Sequence, residues 1–171
     1  IKMPVATFKG GVHPFEGKEL TMDKPVKNML PKTDLVYPLS QHIGAPAKPV
    51  VAVGDRVLAG QMIAEAGGFV SAAVYSAVSG KVKAIQERRL PNGSMGESIV
   101  VENDGLYEEV EWEAVKPVEE MTAQEKVDAV RKAGVVGMGG AGFPTAVKLA
   151  PNDPEKIEYI IVNGAECEPF L

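Results

Sequence analysis

The chain has 171 residues, 45% of them hydrophobic and 24% charged, a composition typical of globular proteins with one large or two small domains. A formal net charge of -5 with scattered basic residues argues against a nucleic-acid partner, because phosphate backbones are bound by clustered Lys and Arg. No apolar run is long enough to span a membrane and no signal peptide opens the chain, while a single cysteine, Cys167, excludes an internal disulfide or a site built from several thiolates of this chain.

Residues 1–34 are predicted to be an irregular leader, because their turn residues occur without a sustained strand or helix period. His13 in this leader and His42 beyond it are the two histidines of the chain. Each could serve as a ligand or a base, but a single histidine near Gly and Pro is more often a structural hydrogen-bonding residue. We therefore expect both to be structural.

Residues 35–105 have an all-β pattern of short apolar runs bounded by turn residues such as Gly54-Asp55 and Pro91-Asn92-Gly93. Many short strands with glycine at the turns predict a small barrel or sandwich. The predicted strands are Leu35 to Leu39, Val50 to Val53, Met62 to Ala66, Val70 to Val74, Lys81 to Ile85 and Ser98 to Glu102.

Two stretches of this region, 51–64 and 78–82, resemble the biotinyl/lipoyl type of domain, a flattened barrel-sandwich hybrid. A carrier domain of that type needs a lysine on an exposed hairpin tip, and residues 67–76 contain none. Lys81 and Lys83 alternate along a predicted strand, which places both on its solvent face. We expect the fold without the carrier chemistry.

Residues 106–120 are predicted to be a solvated acidic connector. Between Val101 and Met121, eight acidic residues accompany a single cation, Lys116. Consecutive like charges have no partner nearby in sequence, which favours solvation over cation binding. Trp112 is expected to fix the connector to a neighbouring element.

The part of the chain after the connector begins with a predicted helix. Thr122 is its expected N-cap, Glu125 completes a capping box, and Gly134 ends it. A second short helix is expected over residues 144–150, and a buried strand over the continuously apolar residues 157–162. Because an α/β unit normally continues after such a strand, we expect the sequence to be a fragment of a longer domain.

A glycine-rich run, Gly137-Met138-Gly139-Gly140-Ala141-Gly142-Phe143-Pro144-Thr145, separates the two predicted helices. Such a run exposes backbone N–H groups to a flat or anionic ligand, and a following helix N-terminus favours phosphate. The competing interpretation is a tight connection between two helices. The spacing G-x-G-x-x-G is satisfied, but that fingerprint requires a preceding strand, so an ordinary Rossmann unit is excluded by the helix that comes first.

Several separated motifs resemble one known family. The glycine run with Lys148, together with Asn163-Gly164-Ala165-Glu166-Cys167-Glu168-Pro169, looks like the flavin- and NADH-binding signature of the flavoprotein subunit of respiratory complex I. The closer similarity is to the RnfC family of the Rnf ion-translocating electron transport complex, whose pattern also includes stretches like Phe8-Lys9-Gly10-Gly11-Val12-His13-Pro14 and residues 41–47. The resemblance covers nearly the whole chain.

The resemblance implies a mixed α+β fold. An all-β barrel-sandwich hybrid domain would occupy residues 35–105, and residues 121–171 would be the truncated start of an α/β domain that binds FMN and NADH. In the intact protein, FMN and NAD(H) would bind this second domain and 4Fe-4S clusters would bind further along the chain. Tight cofactor binding by the 171 residues alone is not expected.

The resemblance also implies a function for the intact protein. It would oxidise NADH through FMN and pass electrons to iron–sulfur clusters, in a complex that couples NADH and ferredoxin to Na⁺ or H⁺ transport. It would be a peripheral subunit at the cytoplasmic face of the bacterial cell membrane, with NADH and the other subunits as partners. The alternative is a non-catalytic docking or assembly module whose glycine loop is structural.

The implied cofactor contacts come from the glycine run and from the second motif. The glycines and Ala141 would face the flavin or the nicotinamide nucleotide, Phe143 would pack beside it, and Lys148 would lie near the flavin phosphate or ring. No catalytic or metal-binding residue is implied. Met138 and residues 165–168 depart from the complex I pattern, and the carboxylates beside Cys167 disfavour a thiolate. The implied contact residues are Gly137, Gly139, Gly140, Ala141, Gly142, Phe143, Lys148, Asn163, Glu166 and Glu168.

Overall fold

The computed structural model describes residues 15–162. These residues fall into two compact units. One unit is Leu30–Lys156, and the other includes residues 15–29 and 157–162. The strands, the acidic connector and the glycine run described below all lie within Leu30–Lys156.

Two antiparallel sheets of mostly short strands form the first part of Leu30–Lys156. One sheet has the strand order β1-β7-β6-β3 and the other has the order β2-β4-β5. This is the arrangement expected for a barrel-sandwich hybrid. The strands are β1 (Leu35–Pro38), β2 (Lys48–Pro49), β3 (Arg56–Val57), β4 (Met62–Glu65), β5 (Val74–Tyr75), β6 (Gly80–Arg89) and β7 (Met95–Asn103).

One apolar core joins the two sheets. Val57 and Ile99 from the first sheet and Ile63 from the second are fully buried in it. Branched side chains of this kind pack well on the pleated surface of a strand. In β6, Val82 points into the core while Lys83 on its other face is exposed and pairs with Asp34, as the strand period requires. Lys81 is exposed in the same way, so both lysines lie on the predicted solvent face.

The structure confirms the predicted strands that became β1, β4, β6 and β7, and corrects two others. Residues 50–53 form a turn, because the Asp55 carboxylate accepts a hydrogen bond from the Ala52 N–H and the Asp55 N–H donates to the Ala52 carbonyl. Residues 70–73 form a loop, and only Val74 belongs to a strand. An apolar run does not reveal whether its N–H groups find a neighbouring strand or a local acceptor.

The longest strands, β6 and β7, form a hairpin whose register runs from Gly80 opposite Asn103 to Arg89 opposite Met95. Its turn is closed by a 2.8 Å hydrogen bond from the Leu90 N–H to the Ser94 carbonyl. Gly93 lies in this turn with φ 85°, a conformation that favours glycine. The predicted turn at residues 91–93 is therefore confirmed.

Helix α1 (Ala123–Lys132) has the predicted capping box. The Glu125 N–H donates to the Thr122 hydroxyl at 3.2 Å, and the Thr122 N–H donates to the Glu125 carboxylate at 2.6 Å. The helix ends before Gly134, whose φ of 65° suits a residue that follows a helix C-terminus. Both predicted ends of this helix are confirmed.

The acidic stretch after β7 has partners that are remote in sequence. Glu108 pairs with Arg56 of β3, and Glu113 pairs with Lys132 at 2.9 Å. Residues 108–110 also hydrogen bond to Ala59, which attaches this part of the stretch to the barrel. Trp112 packs against Gly60, where an added Cβ would lie 2.6 Å from the indole ring. The stretch is tied to the barrel at its start and to α1 further along.

The other unit is described only in part. It contains a short 3-10 helix, Lys18–Leu20. Residues 157–162 are exposed and have no strand partner among the described residues, so the predicted buried strand is wrong for this part of the chain. Continuous apolar character does not make a strand without a neighbour to pair with. Among the helices of residues 15–162, none has the length and apolar character needed to cross a membrane.

Candidate functional site

The glycine run forms a closed loop over residues 137–143. The Gly137 N–H donates to the Phe143 carbonyl at 2.8 Å, and the Thr145 N–H donates to the Val135 carbonyl at 2.9 Å. An isolated antiparallel bridge pairs Val136 with the residue before Thr145. The two ends of the loop are therefore held together by backbone hydrogen bonds, and α2 (Thr145–Lys148) follows directly.

The setting differs in one respect from the predicted helix, loop and helix. The expected second helix over residues 144–150 is the single turn α2, with Pro144 at its N-cap. A helix of four residues leaves too few aligned peptides for a strong dipole. The backbone N–H groups of the loop itself are consequently the main feature that could bind an anion. As predicted, the element before the loop is a helix, which confirms that the glycine spacing does not belong to a Rossmann unit.

The glycines of the loop have different structural reasons. Gly142 has φ 62°, and a Cβ there would lie 2.7 Å from the Gln41 carbonyl oxygen, so packing against the barrel requires glycine. Gly140 has φ 143°, which disfavours a side chain on conformational grounds. Gly139 has neither a left-handed φ nor any atom within 4 Å of an added Cβ. Nothing within residues 15–162 explains why position 139 is glycine.

The centre of the loop is open and rich in free donors. Met138 is 93% exposed, and Gly139 and Gly140 are exposed beside it. No acceptor within the described residues takes a hydrogen bond from the N–H groups of 138–140. Free amides on a backbone without side chains suit a phosphate or a flavin edge, so the residues present fit the group that the glycine pattern predicts.

Lys148 and Phe143 lie together at one side of the loop. The Lys148 ammonium is 5.7 Å from the centroid of the Phe143 ring, and 3.8 Å from the point where a Gly137 Cβ would be. A cation held over an aromatic face keeps its charge beside the loop. The structure thus brings together the predicted residues from Gly137 to Lys148. Asn163, Glu166 and Glu168 lie outside the described residues, as does Cys167.

The barrel contributes to this loop through a segment that the sequence did not assign to a site. The Ile43 N–H donates to the Ala141 carbonyl at 3.2 Å, and Gly142 packs on the backbone of Gln41 and His42. A cleft of about 240 Å³ lies next to this contact. The sequence signal was present, because the motif at residues 41–47 belongs to the family resemblance, but its spatial partner was not evident. The cleft is lined by Tyr37, Gln41, His42, residues 72–75, Gly134 and Val136.

The C-terminus of α1 is held on the barrel next to the cleft. The Tyr75 hydroxyl donates to the Lys132 carbonyl, and a Cβ at Gly134 would lie 2.6 Å from the Ala73 carbonyl oxygen. Burial raises the pKa of Tyr75, against the opposing effect of the Lys132 charge, so the hydroxyl stays protonated as a donor. The pKa of Lys132 is itself raised by its hydrogen bond and ion pair with Glu113.

The segment in the place of a carrier hairpin is packed rather than free. The Ala45 N–H donates to the Val70 carbonyl at 3.0 Å, and the Gly67 N–H donates to the Ser71 hydroxyl at 2.8 Å. A Cβ at Gly44 would overlap the Val70 carbonyl oxygen. This close backbone contact leaves no room for a swinging arm. Within residues 15–162, no cluster of three or more His, Cys, Asp or Glu could hold a metal ion.

Two family models match the chain. The RnfC barrel sandwich hybrid domain matches residues 6–106, and the Nuo51 FMN-binding domain matches residues 130–171. The first match includes the seven strands, and the second includes the whole glycine loop.

Curated relatives match over 96% of the chain, and all three described here are the C component of an oxidoreductase complex. That of a proton-translocating ferredoxin:NAD(+) oxidoreductase complex from Clostridium ljungdahlii is 46% identical, and that of a Na(+)-translocating counterpart from Acetobacterium woodii is 45% identical. That of an ion-translocating oxidoreductase complex from Pseudomonas aeruginosa is 42% identical. The chain spans only 36%, 38% and 21% of the lengths of these three proteins.

Proposed function

This chain belongs to the RnfC family, and on that premise we propose that the intact protein oxidises NADH through FMN and passes the electrons to 4Fe-4S clusters bound elsewhere in its sequence. The names of the relatives support a role in ferredoxin:NAD(+) oxidoreduction. The match of residues 130–171 to an FMN-binding domain supports the cofactor.

The observation that carries the proposal is the unexplained glycine at the open centre of the loop. Gly142 and Gly140 have structural reasons, but Gly139 has none among the described residues. A side chain at position 139 would contact only a ligand. This separates the proposed cofactor role from the alternative that the loop is merely a connection.

The residues of the loop would bind and orient the cofactor. The free N–H groups of 138–140 would donate to its phosphate or ring oxygens, and Lys148 would supply a positive charge beside them. When bound, FMN supplies the chemistry that accepts a hydride and releases electrons singly. Asn163, Glu166 and Glu168 are proposed to add polar contacts to the flavin, its ribityl chain or the nicotinamide ribose.

We place the intact protein as a peripheral subunit at the cytoplasmic face of a membrane complex, with NADH and the other subunits as partners. Relatives of both the proton- and the Na(+)-translocating kind match this chain almost equally well. The transported ion is therefore not part of the proposal. The packed segment at residues 67–73 favours a docking role for the barrel over a carrier role, and this docking role is compatible with flavin binding in the same protein.

The test is NADH-dependent bleaching of oxidised flavin in the intact protein loaded with FMN. The proposal predicts bleaching under anaerobic conditions. Failure of NADH to bleach bound flavin would refute it and favour the docking role alone. A separate titration of residues 1–171 with FMN is expected to show weak binding or none, and a sub-micromolar Kd would contradict that expectation.

A further inference from the structure

We propose that His42, a residue of the barrel, is a positioning residue that fixes the orientation of the Ala141–Gly142 peptide in the cofactor loop. This inference rests on the proposed binding of FMN by that loop. It extends the site beyond the FMN-binding match at residues 130–171 to a side chain that lies far earlier in the sequence, at position 42. The imidazole acts on the loop through three consecutive contacts.

The first contact holds the imidazole in the barrel. His42 is only 8% exposed, and its Nε2 accepts a hydrogen bond from the Ala72 N–H at 3.1 Å. An N–H donor at Nε2 requires a lone pair there, which assigns the ring proton to Nδ1. Nδ1 lies 3.0 Å from the Ile43 carbonyl oxygen and donates to it. The ring therefore joins residue 72 of the barrel to the next residue of its own segment.

The second contact passes from this segment to the cofactor loop. The Ile43 N–H donates to the Ala141 carbonyl at 3.2 Å. Close packing reinforces it, since a Cβ at Gly142 would lie 3.0 Å from the His42 Cα. With Ile43 held on one side by the imidazole, its N–H has a fixed direction toward the loop.

The third step is the geometry of the peptide itself. No peptide bond among the described residues is cis, so the Ala141 carbonyl and the Gly142 N–H point in opposite directions. The carbonyl faces Ile43, and the N–H accordingly faces away from the barrel segment, where no acceptor within residues 15–162 meets it. A reversed peptide would present an oxygen in place of a donor. His42 thus selects the donor orientation that an anionic or carbonyl-rich ligand requires.

The experiment compares two variants of the intact protein that each lose a buried, doubly hydrogen-bonded side chain. His42→Ala breaks the contacts above. Ser79→Ala is the matched control, because the buried Ser79 hydroxyl donates to Asp104 and accepts from the Glu108 N–H on another part of the barrel. FMN affinity is measured by fluorescence titration. Peptide-resolved hydrogen exchange of the FMN-free protein reports protection of the Ile43 amide.

We expect His42→Ala to weaken FMN binding about tenfold or more, because a preorganised donor is lost, and Ser79→Ala to change it less than about twofold. Ile43 amide exchange should accelerate in the first variant only. Gly142→Ala disrupts the same contact from the loop side, and in combination with His42→Ala it should cause no further loss of affinity. A merely structural role for His42 would give additive losses.

If His42→Ala does not fold, His42→Asn replaces it, since its amide can still donate to Ile43 while losing the acceptor for Ala72. That variant should bind FMN with an intermediate affinity. Unchanged FMN affinity and unchanged Ile43 protection in the folded variants would overturn the inference. Wild-type protein that does not bind FMN would instead refute the proposed function, and the exchange data would then decide the link between His42 and the loop by themselves.

Discussion

Gly139→Ala separates a ligand contact from a structural glycine. The added methyl group meets no protein atom within 4 Å, and the backbone at 139 is outside the left-handed region. Such a substitution restricts the unfolded chain and raises the free energy of unfolding by about 0.4–1 kcal/mol. If FMN lies against this backbone, the same methyl group overpacks the contact and costs about 1–3 kcal/mol of binding.

The expected result is therefore a protein that is slightly more stable and binds FMN about 5–150-fold more weakly. Urea unfolding of the FMN-free intact protein measures the first quantity, and fluorescence titration with FMN measures the second. Gly142→Ala provides the contrast, because its φ of 62° and its contact with the Gln41 carbonyl predict a loss of stability even without a ligand.

Two results would refute the reasoning. FMN affinity equal to that of the wild type would show that no ligand atom approaches position 139. A loss of stability by more than about 1 kcal/mol would show that a part of the chain packs on Gly139, and its glycine would then have a structural reason. Either result would favour the interpretation of the loop as a tight connection.

The remaining predictions concern stability and covalent state. Thr122→Ala should lower the free energy of unfolding by about 1 kcal/mol, measured by urea denaturation, since it removes the acceptor for the Glu125 N–H. The backbone N–H of Thr122, and then its hydroxyl, lower the pKa of Glu125; this contribution to stability is present at neutral pH and is lost as the pH falls below about 4, so Glu125→Gln should flatten the acid limb of the stability profile. Ile99→Ala should cost about 2–5 kcal/mol by the same denaturation assay, because the side chain is fully buried between the sheets. Intact mass should show no biotinyl or lipoyl group, and an added mass of either kind would contradict the packed geometry of residues 67–73.

Local signals in the sequence predicted the features that depend on neighbouring residues. The capping box of α1 needs only Thr122 and Glu125 three residues apart, and the β6–β7 hairpin is marked by its turn at Gly93. The alternation of Val82 with the flanking lysines likewise indicated which face is buried. These features were correct because their hydrogen bonds close within a few residues.

Features that depend on distant residues were predicted poorly. Residues 50–53 look like a strand, yet Asp55 offers a local acceptor that makes a turn more favourable. Residues 157–162 have the composition of a strand but no partner among the described residues. The acidic stretch gave no indication that Arg56 and Lys132 would pair with it. For the site, the glycines were identified from sequence, but the contact of Ile43 with Ala141 was not, since nothing in either motif specifies the other.

The contact between residues 41–43 and 141–142 also makes the barrel a thermodynamic reporter of the loop. A ligand that binds only the folded loop stabilises the folded state by RT ln(1 + [L]/Kd), and this stabilisation extends to whatever unfolds together with the loop. Because Leu30–Lys156 is one compact unit, saturation of the loop should raise the melting temperature of the barrel sheets as well. By reciprocity, anything that loosens the barrel around His42 must weaken the ligand, so the two matched regions of this chain behave energetically as a single binding element.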